Sequence, residues 1–332
     1  MRRLLIDSDG TADDLLALLL ASHTPDVDVV AITSVAGAVR TTQATENLLY
    51  GLELAGLERV AVYTGCERPI IRPPVPFEAM YGRTGLGTLT PPRAKSRPES
   101  AHAVDAILSL VRHYRKEMDI VCLGPLTNLA AALIQSPKLA ELPGHVYVYG
   151  GAIQSGNLTP AAEYHFYADP EAAALVLHSG LPLTLVTWDA ARTSLAMQPQ
   201  DIQRIRAGGT RECKFFMDAT RSMAEYCRRT LRLAGSVPGA VVAMAVALDP
   251  SVVRQEERVW ADVESRGEIT RGALVVDPIG LARRPANVRL VRACDGERIR
   301  EILFTALGAP PFEAPPEEPA PEEADAVPTA EP

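Results

Sequence analysis

Four aspartates, Asp7, Asp9, Asp13 and Asp14, fall within the eight positions Asp7-Ser8-Asp9-Gly10-Thr11-Ala12-Asp13-Asp14. Carboxylates so close together repel one another. A hard divalent cation relieves that repulsion, because carboxylate oxygens are the ligands that calcium and magnesium select. A second reading needs no ion: acidic residues are favoured at a helix start by the backbone dipole, and Thr11 is an ordinary cap for such a helix. Spacing alone leaves both open.

The elements that must position this turn are legible on either side of it. Short β-rich runs at Leu4–Ile6, Val29–Thr33, Val60–Tyr63, Ile120–Leu123, Val146–Tyr149 and Leu183–Val186 are each followed by a turn and an apolar stretch of helical period. That alternation predicts an α/β fold with a doubly wound, mostly parallel sheet flanked by helices in a single domain. The acidic turn then lies at the carboxyl end of the first strand, the edge where open α/β sheets bind ligands. The helix entered at Asp13 is apolar nearly all round and is expected to be buried. Between Pro69 and Pro98 the rhythm lapses into a segment too long for an ordinary connection, which predicts a functional loop or flap over a site.

Composition narrows the partners. The chain has 332 residues, 47% of them hydrophobic, a mean hydropathy of +0.03 and a formal charge of −8. Seven acidic residues and no Lys or Arg lie in 309–332, leaving about −1 for the domain expected over 1–308. A body so nearly neutral offers no basic excess for nucleic acid or an anionic membrane. The 309–332 segment, with eight prolines, is expected to be a disordered tail. The apolar stretch Leu4–Ile6 ends at Asp7, short of the ~7 to 15 residues of a secretory h-region. The longest apolar run, Ala240–Leu248, is well below the ~20 residues that span a bilayer and reads as a core helix. Five scattered cysteines without metal-ligand spacing fit a reducing, cytoplasmic setting.

Asp7-Ser8-Asp9-Gly10-Thr11-Ala12-Asp13-Asp14-Leu15-Leu16-Ala17-Leu18 resembles the DxDPGxDDxxAL signature of the inosine/uridine-preferring nucleoside hydrolases, calcium-dependent enzymes that cleave the N-glycosidic bond of ribonucleosides. The resemblance continues through Ala31–Gly37, Thr45-Glu46-Asn47, Gly85-Leu86-Gly87, Gly124–Ala130, Gly150-Gly151-Ala152, Gly156-Asn157, Glu163, Asp169–Ala173 and Arg271-Gly272, in the family's order, over roughly residues 1 to 308.

The resemblance implies roles residue by residue. Asp9 and Asp14 would bind calcium together with the main-chain carbonyl of Thr127. Asp9 would also be the base that takes a proton from a water held by the ion. Asp13 would hold ribose hydroxyls, Asn157 and Glu163 would bind the sugar from the facing loop, and Asp7 would support the ligands from behind. Fixed carboxylates suit this chemistry, since glycosidic cleavage passes through a positively charged, oxocarbenium-like sugar. Blander readings stay beside these: Glu163 as a surface carboxylate, Asn157 as a turn residue, Asn128 as a helix cap.

Several positions depart from the family's pattern. Counting back from Leu248-Asp249-Pro250 places Gly239 and Ala240 where the resemblance leads one to expect a histidine and a metal-ligating aspartate. Ala38 and His165 stand at positions of sugar-contacting asparagines, Tyr81 where histidine is common, and Tyr149 where methionine precedes the paired glycines. Gly10-Thr11 replaces Pro-Gly, which is expected to loosen the turn. Asp189, Asp218 and Glu225 are candidates to replace the missing carboxylate. His165 offers an acid in the useful pKa range, or a hydrogen bond to a ligand or loop, and Tyr226 is a second donor. Two functions are therefore expected: hydrolysis of a ribonucleoside or related N-ribosyl compound by Asp9 and His165 with Tyr149 among the residues on the substrate, or a catalytically impaired relative that acts as a ribosyl-ligand binding or regulatory protein. Homo-oligomers, dimers or tetramers, are common among similar proteins.

Overall fold

The computed structural model describes residues 1–311; the tail expected over 309–332 lies, beyond its first three residues, outside the described residues. Nine strands form one sheet: β1 (Arg2–Ser8), β2 (Val27–Ser34), β3 (Ala61–Thr64), β4 (Met118–Cys122), β5 (Val146–Tyr149), β6 (Leu183–Val186), β7 (Val253–Val263), β8 (Leu274–Asp277) and β9 (Val288–Cys294). Their order is β3-β2-β1-β4-β5-β6-β9-β7-β8. Every pairing from β3 across to β9 is parallel, and β7 and β8 close the edge in antiparallel fashion. The six expected strands are all present. The edge made by β7, β8 and β9 was not anticipated, because charged residues such as Arg254, Glu256, Glu257 and Arg258 break the apolar pattern of β7.

The order explains where ligands must go. From β1 the chain winds outwards through β2 to β3, then returns to lay β4 on the other side of β1. Winding reverses between β1 and β4, so the loops leaving their carboxyl ends diverge and open a crevice. The loop after β1 is the acidic turn; the loop after β4 is Gly124-Pro125-Leu126-Thr127. Leu123 N donates to Asp7 O at 2.7 Å, tying the two exits together.

Two buried helices floor this crevice. Ala12–Ser22 is buried from Ala12 to Ala21, as its all-round apolar sequence requires. It packs against Gly239–Leu248, whose alanines and valines are buried to Ala247. The Pro69–Pro98 segment contains a short helix, Glu78–Tyr81, and buries Phe77, Met80, Tyr81 and Leu86. Its middle forms a packed cover, while much of the chain on either side of Phe77–Leu86 is exposed. Among the described residues no helix is long and apolar enough to cross a membrane.

Candidate functional site

The acidic turn is buried almost without residue: Asp7 and Asp9 are 0% exposed, Asp13 and Asp14 1%. Burying ionised carboxylates costs free energy unless they find partners, and most of the oxygens do. Asp7 Oδ1 accepts from Thr33 Oγ1 at 2.5 Å and Asn128 Nδ2 at 2.7 Å. Asp14 Oδ2 accepts from Ser8 Oγ at 2.7 Å and from Thr11 N at 3.2 Å, closing a capping box with Thr11. Asp13 spends both oxygens, one on Thr11 Oγ1 at 3.0 Å and one on Ala240 N at 3.1 Å. Asp9 Oδ2 accepts from Ala38 N at 2.7 Å, whereas Asp9 Oδ1 and Asp7 Oδ2 are buried with no partner.

The electrostatics follow. Burial raises the Asp14 carboxyl well above the ordinary range, and the nearby Asp9 and Asp13 push it further. Burial also raises Asp13, and lifts Asp7 to about 7 against the pull of Asn128 and Thr33. Asp9 and Asp14 lie within hydrogen-bonding reach of one another. A buried carboxylate pair with a lone oxygen fits a hard divalent cation, which would remove the repulsion and occupy the orphan. The side-chain ligands stop at that pair. Among the described residues no group of three or more His, Cys, Asp or Glu is disposed to hold a metal ion.

Of the three candidates for a replacement carboxylate, Asp189 and Glu225 are paired elsewhere. Asp189 Oδ2 accepts from Ile153 N at 2.6 Å, and Oδ1 lies 3.7 Å from Arg192. Glu225 is half exposed and paired with Arg229 at 3.0 Å. Asp218 is held through its main-chain carbonyl to Thr88 on the cover. The turn expected to be loosened is pinned instead. Gly10 has φ +69°, which glycine takes without strain; its N–H donates to Ser8 Oγ at 2.9 Å and its carbonyl accepts from Asn47 Nδ2 at 2.8 Å.

Opposite the acidic turn stands the loop before Tyr164–Ala168. Glu163 is no surface group: at 1% exposure it caps that helix, Oε2 accepting from His165 N at 2.9 Å, Phe166 N at 3.3 Å and Gly151 N at 2.9 Å. Its other oxygen, Oε1, lies 3.5 Å from His165 Nδ1. His165 is 3% exposed, and neither ring nitrogen makes a hydrogen bond. Asn157 Oδ1 accepts from Tyr164 N at 2.9 Å, and its carbonyl takes the Tyr226 hydroxyl at 2.8 Å. Tyr226 is thereby engaged in holding Asn157.

Tyr149 accounts for one departure. A Cβ on Gly239 would lie 2.1 Å from Tyr149 Cζ and 2.1 Å from its hydroxyl oxygen. The tip of the Tyr149 ring thus fills the room that any side chain at 239 would need, and its ring meets His165 edge to face at 5.4 Å. Burial, with Glu163 and Asp13 nearby, holds the phenol protonated.

Asn128, Asn47, Phe77 and Tyr164, whose sequence context suggested no such part, complete the geometry. Asn128 is not a cap. It bridges Asp7, Ser34 O and Cys66 N. Asn47 binds Gly10 O and Thr84 O at once, clamping the acidic turn to the cover. Phe77 stacks on Tyr164 at 5.0 Å and meets Tyr226 edge-on at 5.3 Å, while the Tyr164 hydroxyl donates to Val75 O at 2.8 Å. These latch the cover shut. Thr127 begins the helix after β4, its hydroxyl turned to Asp169 Oδ2 at 2.7 Å. Asn47 and Asn128 sit in stretches that resemble the family, yet nothing local in the sequence says which atoms they join.

Fold and site define a doubly wound α/β enzyme with a covered carboxylate centre at its switch point. The family model for inosine-uridine preferring nucleoside hydrolases matches residues 4–301. The inosine-uridine preferring nucleoside hydrolase of Crithidia fasciculata is 31% identical over 308 residues, 92% of this chain and 97% of its own. The pyrimidine-specific ribonucleoside hydrolase RihA of Salmonella gallinarum is 31% identical over 305 residues, 92% and 97%. A solved plant nucleoside hydrolase superposes with a TM-score of 0.86 at 30% identity, covering 93% of this chain and 99% of its own. The chain belongs to the inosine-uridine preferring nucleoside hydrolase family, and its fold is the family's.

Proposed function

We propose that this protein hydrolyses the N-glycosidic bond of a ribonucleoside at the acidic turn, with Asp9 as the base and calcium held by Asp9, Asp14 and the main-chain carbonyl of Thr127. The observation that carries the reading is the fully buried Asp9, its Oδ1 unpartnered, in a cluster with Asp14. When bound, the ion would hold the attacking water and make it more acidic. Asp9 accepts the water's proton. Asp13, whose oxygens now rest on Thr11 and Ala240 N, exchanges part of that pairing for ribose hydroxyls. Asn157 and Glu163 meet the sugar from the other side, and the carboxylates stabilise the positive charge that develops on it. His165 faces the leaving base with two unsatisfied nitrogens, and Tyr149 packs beside it. Buried groups left without partners call for an explanation, and a substrate that bonds to them supplies one. Entry requires the Phe77–Tyr164–Tyr226 latch to open; reclosure keeps bulk water from the charged sugar.

The second reading, a ribosyl-ligand binder of impaired activity, draws on Ala240, which brings a main-chain N–H to Asp13 where a carboxylate is expected. Calcium titration by calorimetry, run with release of free ribose from a nucleoside panel and Asp9→Asn as control, tests both. Calcium binding with ribose release supports hydrolysis; nucleoside binding without release supports the binder. Relatives named for inosine-uridine and for pyrimidine nucleosides are equally similar, so the panel spans both. A cytoplasmic location accords with five free cysteines, and sedimentation tests for the dimer or tetramer.

A further inference from the structure

A groove lies on the opposite edge of the sheet. It sits at the amino ends of β5, β6 and β9 and has a volume of about 1050 Å³. Its walls carry Lys116, Arg258, Arg284 and Arg289 against a single carboxylate, Glu141. Arg289 pairs with Glu256 at 2.5 Å. Among the described residues Lys116, Arg258 and Arg284 make no ion pair. Three cations without an ion pair thus surround one concavity, with Glu141 as the carboxylate in its wall.

Charge is joined by an aromatic surface. Trp260, on β7, lines the groove half-buried, with the Arg284 guanidinium carbon 5.6 Å from its ring centroid and the His178 ring 6.1 Å away. His145, also in the wall, is held below its ordinary pKa by burial and by Arg289 and Arg2, against the pull of Asp119. Arginines recognise phosphate through a rigid fork of N–H donors. An indole face flanked by cations is a stacking platform for a nucleic-acid base. Pockets for small organic ligands run from about 300 to 1,000 Å³, so the groove is wide enough for base, sugar and phosphates together and oversized for a lone inorganic ion.

We propose that this groove binds a nucleoside phosphate, with the base on Trp260 and the phosphates among Arg258, Arg284 and Lys116. The site shares no residue with the acidic turn and stands whether or not that turn is hydrolytic.

The test is calorimetric titration of the full chain with ADP and, separately, with pyrophosphate, at low and physiological salt. ADP is expected to bind 1:1 and saturably, more weakly at higher salt, with pyrophosphate at least ten-fold weaker. The Arg258→Ala/Arg284→Ala double variant should lose ten-fold or more in ADP affinity with an unchanged circular-dichroism melt. Trp260→Leu should bring ADP down to the level of pyrophosphate. Absence of ADP binding, unchanged affinity in the double variant, or pyrophosphate binding as tight as ADP would each overturn the proposal.

Discussion

Gly239→Ala is a one-carbon probe of how the pocket has been rebuilt. The added Cβ would stand 2.1 Å from Tyr149 Cζ and hydroxyl and 2.6 Å from Cε2, where non-bonded carbons settle at about 3.5–4.0 Å. The ring tip must therefore retreat by roughly 1.5 Å. It has little room, since Tyr149 is 1% exposed and His165 stands beside it. Overpacking of this kind costs about 1–3 kcal/mol. A loss of ~2 kcal/mol, with an unfolding entropy of about 2.1 cal/mol/K per residue, lowers the Tm of a chain this size by about 3 °C.

The same change in a Tyr149→Ala background separates the clash from any effect on the helix. Tyr149→Ala alone should cost about 3–5 kcal/mol through the cavity it leaves. With the ring gone, adding the methyl at 239 should cost almost nothing, giving a coupling of ~2 kcal/mol, in the range found for residues in direct contact. Thermal or urea unfolding of the four proteins closes the cycle. If Gly239→Ala is neutral in the parent, or equally costly in both backgrounds, Tyr149 does not occupy the space opposite Gly239 and the account of that departure fails.

Other expectations concern the ion, the base, the thiols and one histidine. Asp9→Asn should lower ribose release by about 10²–10⁴, the usual worth of a positioned general base, while nucleoside binding persists in calorimetry. Calcium at a hundred times its dissociation constant should stabilise the fold by about 2.7 kcal/mol, and Ala240→Asp should tighten binding; a melt that neither calcium nor a chelator moves would remove the ion from the scheme. Cys66 and Cys294, each pushed up to about 11 mainly by burial, should label slowly with a thiol reagent at pH 8 until the chain is unfolded. The depressed pKa of His145 means the unfolded chain binds more protons below about 6.5. Its contribution should therefore fall as the solution is acidified through that value, and His145→Gln, able to keep a bond to Thr184, should flatten this part of the profile.

What could be read from the chain followed from local periodicity. Strands β1 to β6 announce themselves because each is a short apolar run bounded by a turn, and the helix Ala12–Ser22 because nothing polar interrupts it after Asp14. The antiparallel edge was illegible because β7 faces solvent along much of its length and carries a run of mixed charge. Tyr149 was readable as a departure, but its meaning was not. That β5 aims its last residue at the first turn of a helix ninety positions later is a fact of packing. Asn47 and Asn128 are similar: each joins segments far apart in sequence, and single-residue propensity is silent about such bonds.

The acidic turn shows why these long-range amides matter. Carboxylates collected at a sheet edge destabilise the fold unless each is bonded, and here the donors come from many segments: Thr33 from β2, Ala38 from the loop after β2, Asn128 from the helix after β4, Ala240 from the late helix. The turn is thus rigid because of the sheet's topology, which brings the exits of β1, β2 and β4 side by side. Asp9 Oδ1 escapes this satisfaction, as does Asp7 Oδ2 behind it in the turn. A fold that bonds most of its buried acids and leaves the Asp9 oxygen open, next to Asp14, has an incentive to keep it available only if something that arrives from solution, an ion or a water, takes the place of the missing donor.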